Sequence, residues 1–176
     1  VRAFRSLVEH GLVGWRFMLV GGCNSADREY ALAVRREARG LPVEVHLNAP
    51  GTFLDEQIAK ATFLWHAAGL GADLDAHPDR AEHFGIAPIE AMSAGAVPVV
   101  FNAGGPASVV THGVDGLRWD TLEDLAACTR RLIDQPQLMA ELSFAAARRA
   151  REFDVAHCEQ NVRDIVAEMA AEQVPR

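Results

Sequence analysis

Four short apolar runs, Arg16–Val20, Val43–Leu47, Thr62–His66 and Val97–Phe101, recur along the chain, and the stretches between the first three carry helical periodicity. Strands that alternate with helices on short connections do not form hairpins. They assemble as a parallel sheet covered by helices on both faces. The sequence therefore predicts an α/β, Rossmann-like parallel β-sheet sandwiched by helices. Val1, Phe4, Leu7 and Val8 set a first amphipathic helix over Val1–His10. Asn24 or Ser25 caps a second that runs through Tyr30, Ala33, Val34 and Ala38, and Gly40-Leu41-Pro42 ends it. Thr52 caps a third through Phe53, Ile58 and Ala61. In such sheets ligands sit beyond the carboxyl ends of the strands. The segments Gly21-Gly22, Asn48-Ala49, His66-Ala67 and Asn102–Gly105 fall there.

Beyond Leu117–Trp119, a short edge strand, the chain reads as helical to its end, residues 121–176. Thr121 with Asp124 forms a capping box, and Leu122, Leu125, Ala126, Leu132 and Ile133 make one apolar stripe. Pro136 opens a second helix with Leu138, Leu142 and Ala146 inward. Phe153-Asp154 separates it from a third bearing Val155, Val162, Ile165, Val166 and Met169, a stripe that suits core or interface.

Length and composition narrow the function classes. At 176 residues and 49% apolar content the chain suits one domain, 1–176, with a single substantial core. A net charge of −7 without a Lys/Arg cluster argues against a nucleic-acid surface or an anionic-membrane patch. The three cysteines, Cys23, Cys128 and Cys158, are dispersed and lack metal-ligand spacing, as suits a reducing compartment. No apolar run is long enough to span a bilayer and VRAFRSLVEH is not a signal peptide, so the expectation is a cytoplasmic domain without a transmembrane segment. His77, Asp73, Asp75 and Asp79 share the long loop Ala67–Ala81, but their spacing matches no compact ligand set, and no metal site is assigned.

The most specific stretch is Glu82–Asn102, EHFGIAPIEAMSAGAVPVVFN. It reads as a charged loop ending at Glu82, a turn at Gly85, a helix from about Pro88 to Ala94, a stop at Gly95 and then a strand. Pro88 suits a first helical turn and Gly95 the left-handed residue past a helix end. A helix start beside a glycine turn offers free N–H groups and a positive dipole end to phosphate oxygens, and here Glu82 and Glu90 flank it.

Seven residues separate Glu82 from Glu90, with Phe84-Gly85-Ile86 between them. This closely resembles the Glu-x7-Glu motif of retaining GT-B glycosyltransferases of group 1, glycosyltransferase family four. The likeness extends to Ala3-Phe4, to Trp15–Gly22, to Gly104-Gly105-Pro106 with Val109-Val110, and to His112–Leu117. It implies the C-terminal, donor-binding lobe of a two-lobed enzyme that transfers a sugar from a nucleotide diphosphate sugar, without a metal or other cofactor. By the resemblance, Glu82 is the catalytic residue beside the donor sugar and Glu90 holds the ribose hydroxyls. Amides of Phe84, Gly85 and Ile86 meet the diphosphate, and His66, His83, Gly21, Gly22, Gly104 and Gly105 complete the substrate-binding set. His66 is equally consistent with a packed histidine, whereas His83 fits an exposed loop residue better than a ligand contact.

The family pattern also implies partners outside this sequence. These are an N-terminal lobe, a first strand followed by a Gly-Arg…Lys-Gly loop ahead of Val1, and a carbohydrate or lipid-linked acceptor that would bring the parent protein to a membrane surface. Without them the lobe is expected to be inactive alone. Ser108 departs from the family, which often has Glu there. An epimerase or phosphorylase of the same architecture, and a non-catalytic nucleotide-binding module, remain open alternatives. A dinucleotide oxidoreductase needs Gly-x-Gly-x-x-Gly after the first strand, which Gly21-Gly22-Cys23-Asn24-Ser25-Ala26 does not supply.

Overall fold

Each apolar run becomes a parallel strand. The structure, a computed structural model, describes residues 1–172. The elements in order are α1 (Arg2–Glu9), β1 (Phe17–Gly21), α2 (Arg28–Glu37), β2 (Val43–Leu47), α3 (Gly51–Ile58), β3 (Phe63–His66), α4 (Ile86–Ser93), β4 (Val97–Phe101), α5 (Gly104–Val109), β5 (Leu117–Trp119), α6 (Leu122–Asp134), α7 (Pro136–Ala150) and α8 (Val155–Glu172). Short 3-10 turns lie at Pro78–Arg80 and Arg151–Phe153. The expected α/β parallel architecture is present, but the hydrogen-bonded ladder falls into two pieces, β1-β2 and β3-β4-β5.

The core is built around β4. Val97, Val99 and Val100 are wholly buried, so the strand is covered on both faces, as its unbroken apolar run requires. Val97 and Val99 pack with Leu117, Trp119, Leu125, Leu132 and Leu142. Val100 faces the other way, onto Met92, Val109, Val110 and Ala146. At about 1.5–3 kcal/mol for each fully buried side chain of this size, β4 and its neighbours supply most of the hydrophobic stabilisation. Trp119 Nε1–H donates to the Val99 carbonyl at 3.2 Å, so the largest core side chain leaves no buried donor unpaired. By contrast, β1, β2, α2 and α3 bury only Ala31 at this level. That half of the molecule is held by less apolar area.

Helix starts differ from expectation in physically simple ways. Helix α4 begins at Ile86 rather than Pro88, because Gly85 adopts φ 92° and turns the chain into the helix early. Pro88 still lies in the first turn, where no intrahelical acceptor awaits its missing N–H. Asn24 and Ser25 do not cap α2. Asn24 Oδ1 instead accepts from Ala26 N–H at 2.7 Å, and Asp27 stands at the N-cap. Thr52 lies inside α3, which starts directly after Pro50. The Thr121–Asp124 capping box forms as expected, with reciprocal bonds of 3.0 and 3.1 Å.

The C-terminal segment is helical through residue 172, and residues 173–176 of the expected helical stretch lie outside the described residues. Val155, Val162, Ile165, Val166 and Met169 on α8 are all exposed, so this stripe is not core within the chain. No helix among the described residues is long and apolar enough to cross a membrane.

Candidate functional site

The ends of β3 and β4 and the starts of α4 and α5 define the candidate site. Gly85 is buried, and its positive φ is a conformation that a side chain disfavours. A Cβ there would also meet Pro106 Cγ at 3.0 Å. The turn it makes leaves α4 without a side-chain cap, and among the described residues the N–H groups of Gly85, Ile86 and Ala87 have no acceptor. Phe84 N–H points at Glu82 Oε1, 3.4 Å away, so the carboxylate of the first glutamate lies beside the same row of donors.

The Glu82 turn is seated on the start of α5. Gly105 N–H donates to the Glu82 carbonyl at 2.8 Å. A Cβ on Gly104 would overlap the Glu82 carbonyl oxygen, and one on Gly105 would overlap the His83 carbonyl oxygen and Phe84 Cα. These two glycines thus let two backbones touch, which is how the structure uses them. Glu82 is half-buried, whereas His83 and Glu90 are exposed; Phe84 and Ile86 remain 50% and 64% exposed despite being apolar.

A cavity of about 620 Å³ lies beside the turn, lined by Glu82, His83, Phe84, Gly104 and Gly105 on one side and by Arg149 and Phe153 on the other. Arg149 and Phe153 were missed by motif reading. Arg149 stacks on the Phe153 ring, 4.9 Å from its centroid, donates to the Val109 carbonyl at 3.3 Å and pairs with Glu152. The only sequence signal for it was an arginine pair, Arg148-Arg149, just before a helix break. Ile86 and Glu90 do not line this cavity.

His66 closes β3, and its Nδ1 is buried without a partner, the one such side-chain atom among the described residues. Burial pushes its pKa below the ordinary histidine value, while the Glu82 carboxylate opposes that shift. The imidazole is therefore neutral near pH 7 and keeps one unused hydrogen-bonding nitrogen. Gly21 and Gly22 end β1 in open space, since a Cβ on either meets nothing within 4 Å. Among the described residues no hydrogen bond joins them to the Glu82 turn. No three His, Cys, Asp or Glu side chains stand close enough together among the described residues to hold a metal ion.

Residues 1–149 match the family described as Glycosyl transferases group 1. The chain belongs to the group 1 glycosyltransferases. A D-inositol 3-phosphate glycosyltransferase of Rhodococcus jostii (strain RHA1) is 35% identical over 146 residues, which is 81% of this chain and 30% of that protein. A GDP-Man:Man(3)GlcNAc(2)-PP-Dol alpha-1,2-mannosyltransferase of Xenopus laevis is 30% identical over 144 residues, 76% of this chain and 27% of that protein. This group 1 glycosyltransferase chain thus spans less than a third of the length of either relative. The crystal structure of Anabaena Alr3699/HepE in complex with UDP-glucose superposes with a TM-score of 0.76 at 20% identity, covering 95% of this chain and 44% of that one. The fold is accordingly that of a GT-B glycosyltransferase lobe.

Proposed function

We propose that this domain binds the nucleotide diphosphate sugar donor of a retaining, metal-independent glycosyltransferase and that Glu82 and Glu90 divide the donor between them. One observation carries the reading: the uncapped start of α4, where Gly85, Ile86 and Ala87 offer free N–H groups between two carboxylates. Donors fixed in place before reaction stabilise the charge that develops on the departing diphosphate, with no reorganisation at the moment of bond breaking. Glu82, held at the base of this row, accepts hydrogen bonds from sugar hydroxyls near the reacting carbon. Glu90, exposed on the second turn of α4, accepts from the ribose. The exposed faces of Phe84 and Ile86 exclude water once the donor and a second lobe cover them.

The names of the relatives and the UDP-glucose bound to the Anabaena protein support a nucleotide-sugar donor. The acceptor, a carbohydrate or a lipid-linked saccharide, belongs to the second lobe. The free, dispersed cysteines suit a parent enzyme that works in the cytoplasm, where a lipid-linked acceptor would bring it to the membrane face.

Titrating the domain with UDP, GDP and ADP while following amide resonances tests the reading. At least one nucleotide should move Gly85, Ile86, Ala87 and Glu90. Glu90→Gln should weaken nucleotide binding by roughly ten- to hundredfold, the worth of one hydrogen bond to a charged group. Glu82→Gln should leave nucleotide affinity intact and reduce only the added affinity of the sugar-bearing form. Resonances from Phe84 to Glu90 that stay fixed with every nucleotide would remove the assignment.

A further inference from the structure

We propose that Arg149 is a positioning residue for Glu82, a single guanidinium that holds, from the end of α7, both the helix under the Glu82 backbone and the ring behind Phe84. Its own backbone is firmly placed. Ala146 and Ala150, on either side of it in α7, are buried in one cluster with Met92 of α4, Val100 of β4 and Val109 of α5. Arg149 therefore reaches toward the candidate site from the packed core, and its side chain is only 30% exposed.

The first route runs along α5. Val109 is the last residue of that helix and is buried, so its carbonyl, which has no partner within the helix, needs a donor from elsewhere. Arg149 Nε–H supplies one at 3.3 Å, and its positive charge suits the negative end of the helix dipole. Six residues make fewer than two turns, too short a helix to keep its shape unaided. Fixing its last residue fixes its first ones. Those are Gly104 and Gly105, on which the Glu82 backbone rests through the 2.8 Å bond from Gly105 N–H to the Glu82 carbonyl.

The second route is aromatic. The guanidinium lies over the Phe153 ring, 4.9 Å from its centroid, and the same ring meets Phe84 edge to face at 6.0 Å and 73°. Phe84 is half exposed, and Phe153 is its one aromatic neighbour among the described residues. The Phe84 N–H is the group that faces Glu82 Oε1. The two routes thus grip the turn at both ends, the Glu82 carbonyl through α5 and the Phe84 ring through Phe153. Arginine is the side chain that can serve both: its planar fork donates in the plane through Nε while the face of the same group covers a ring, which a lysine ammonium cannot reproduce. The pairing of Arg149 with Glu152 is a different matter, since Glu152 is exposed and a surface ion pair holds little in place. The hold on the turn stands on these contacts alone, whereas its consequence for a bound sugar rests on the donor reading of Glu82. A carboxylate kept within a fraction of an ångström accepts from sugar hydroxyls at full strength, and a loosened one does not.

Amide exchange measures the hold without a ligand. In Arg149→Met the Gly105 amide should exchange about tenfold or more faster, while Val99, inside the core strand, keeps its rate. Arg149→Lys, which keeps the charge but not the fork, should leave Gly105 nearer to the Met variant than to the parent, and Glu152→Gln, which removes only the surface pair, should leave it unchanged. If Arg149→Met speeds Val99 as well, Phe153→Leu takes its place: it should shift the Phe84 amide resonance with Val99 still protected, and a resonance that stays fixed overturns the proposal. For the sugar, the parent and Arg149→Met are titrated with UDP and UDP-glucose and with GDP and GDP-mannose. The variant should bind each nucleotide within about twofold of the parent, yet lose about threefold or more of the preference for the sugar-bearing form. The proposal is overturned if Gly105 exchanges alike in the parent and Arg149→Met, if Arg149→Lys restores it fully, if Glu152→Gln speeds it as much, or if the sugar preference survives an opened turn. A parent chain that binds none of the four ligands overturns the donor reading instead, and the exchange result then decides whether Arg149 holds the turn.

Discussion

Gly105 and Gly104 hold the Glu82 turn against the first residues of α5 so closely that a single methyl group at Gly105 would have to occupy the position of a backbone atom. Gly105→Ala should therefore displace the His83–Phe84 backbone. The expected outcome is a loss of about 1–3 kcal/mol in urea unfolding together with weakened nucleotide binding, whereas Gly22→Ala, which projects into open space, should change stability by less than about 0.5 kcal/mol. Equal effects of the two substitutions would remove the seating role. His66 offers a second residue-level check, through pH. Burial lowers its pKa in the folded chain, so the unfolded chain takes up the proton more readily. Stability is then full above the ordinary histidine pKa and declines as pH falls through it toward the folded value. His66→Gln should flatten the fall in urea midpoint as pH drops below the ordinary histidine value of about 6.5. A variant with the same slope as the parent chain would show that another group carries it.

At the scale of elements, caps and periodicity were legible and irregular starts were not. Thr121 and Asp124 satisfy each other's backbone N–H at the head of α6, a local arrangement that four residues of sequence determine. Thr121→Ala should cost about 1 kcal/mol of unfolding free energy by thermal or urea denaturation, with the nucleotide response unchanged, because α6 lies away from the Glu82 turn. The inward stripes of α6 and α7 were equally plain: Leu125, Leu132, Leu142 and Ala146 are buried where the 3.6-residue period puts them. The start of α4 was placed two residues late, since Pro88 is a stronger local signal than the left-handed φ of Gly85, which depends on the contact with Pro106 across the fold. Asn24 and Ser25 look like caps to any local rule, yet Asn24 spends its side chain on Ala26 N–H, and the helix begins after Asp27.

For the whole molecule, a parallel α/β architecture could be read from four apolar runs, but the interruption between β1 and β3 could not, because ladder pairing is a property of neighbours in space. The same holds for Arg149 and Phe153, which reach the candidate site from the end of α7. The turn at Gly85 and the helix start beside it could be read locally, whereas Glu82 and Phe84 stood out only through the resemblance of the whole Glu82–Asn102 stretch to a known family. The exposed α8 stripe had the periodicity of a core helix, and only the folded chain shows that nothing among the described residues covers that face.

The buried strand β4 leads in three residues to Gly104, and Gly104 and Gly105 carry the Glu82 backbone. The position of that acid is therefore inherited from the most deeply buried strand among the described residues, and on the donor-binding proposal a sugar must adapt to it rather than the reverse. The long connection Ala67–Ala81 is largely exposed and makes no comparable demand. Changes of partner sugar over evolutionary time are thus easiest to write into that rim, where residues can be exchanged, lengthened or recoloured in charge while the anvil beneath them stays the same.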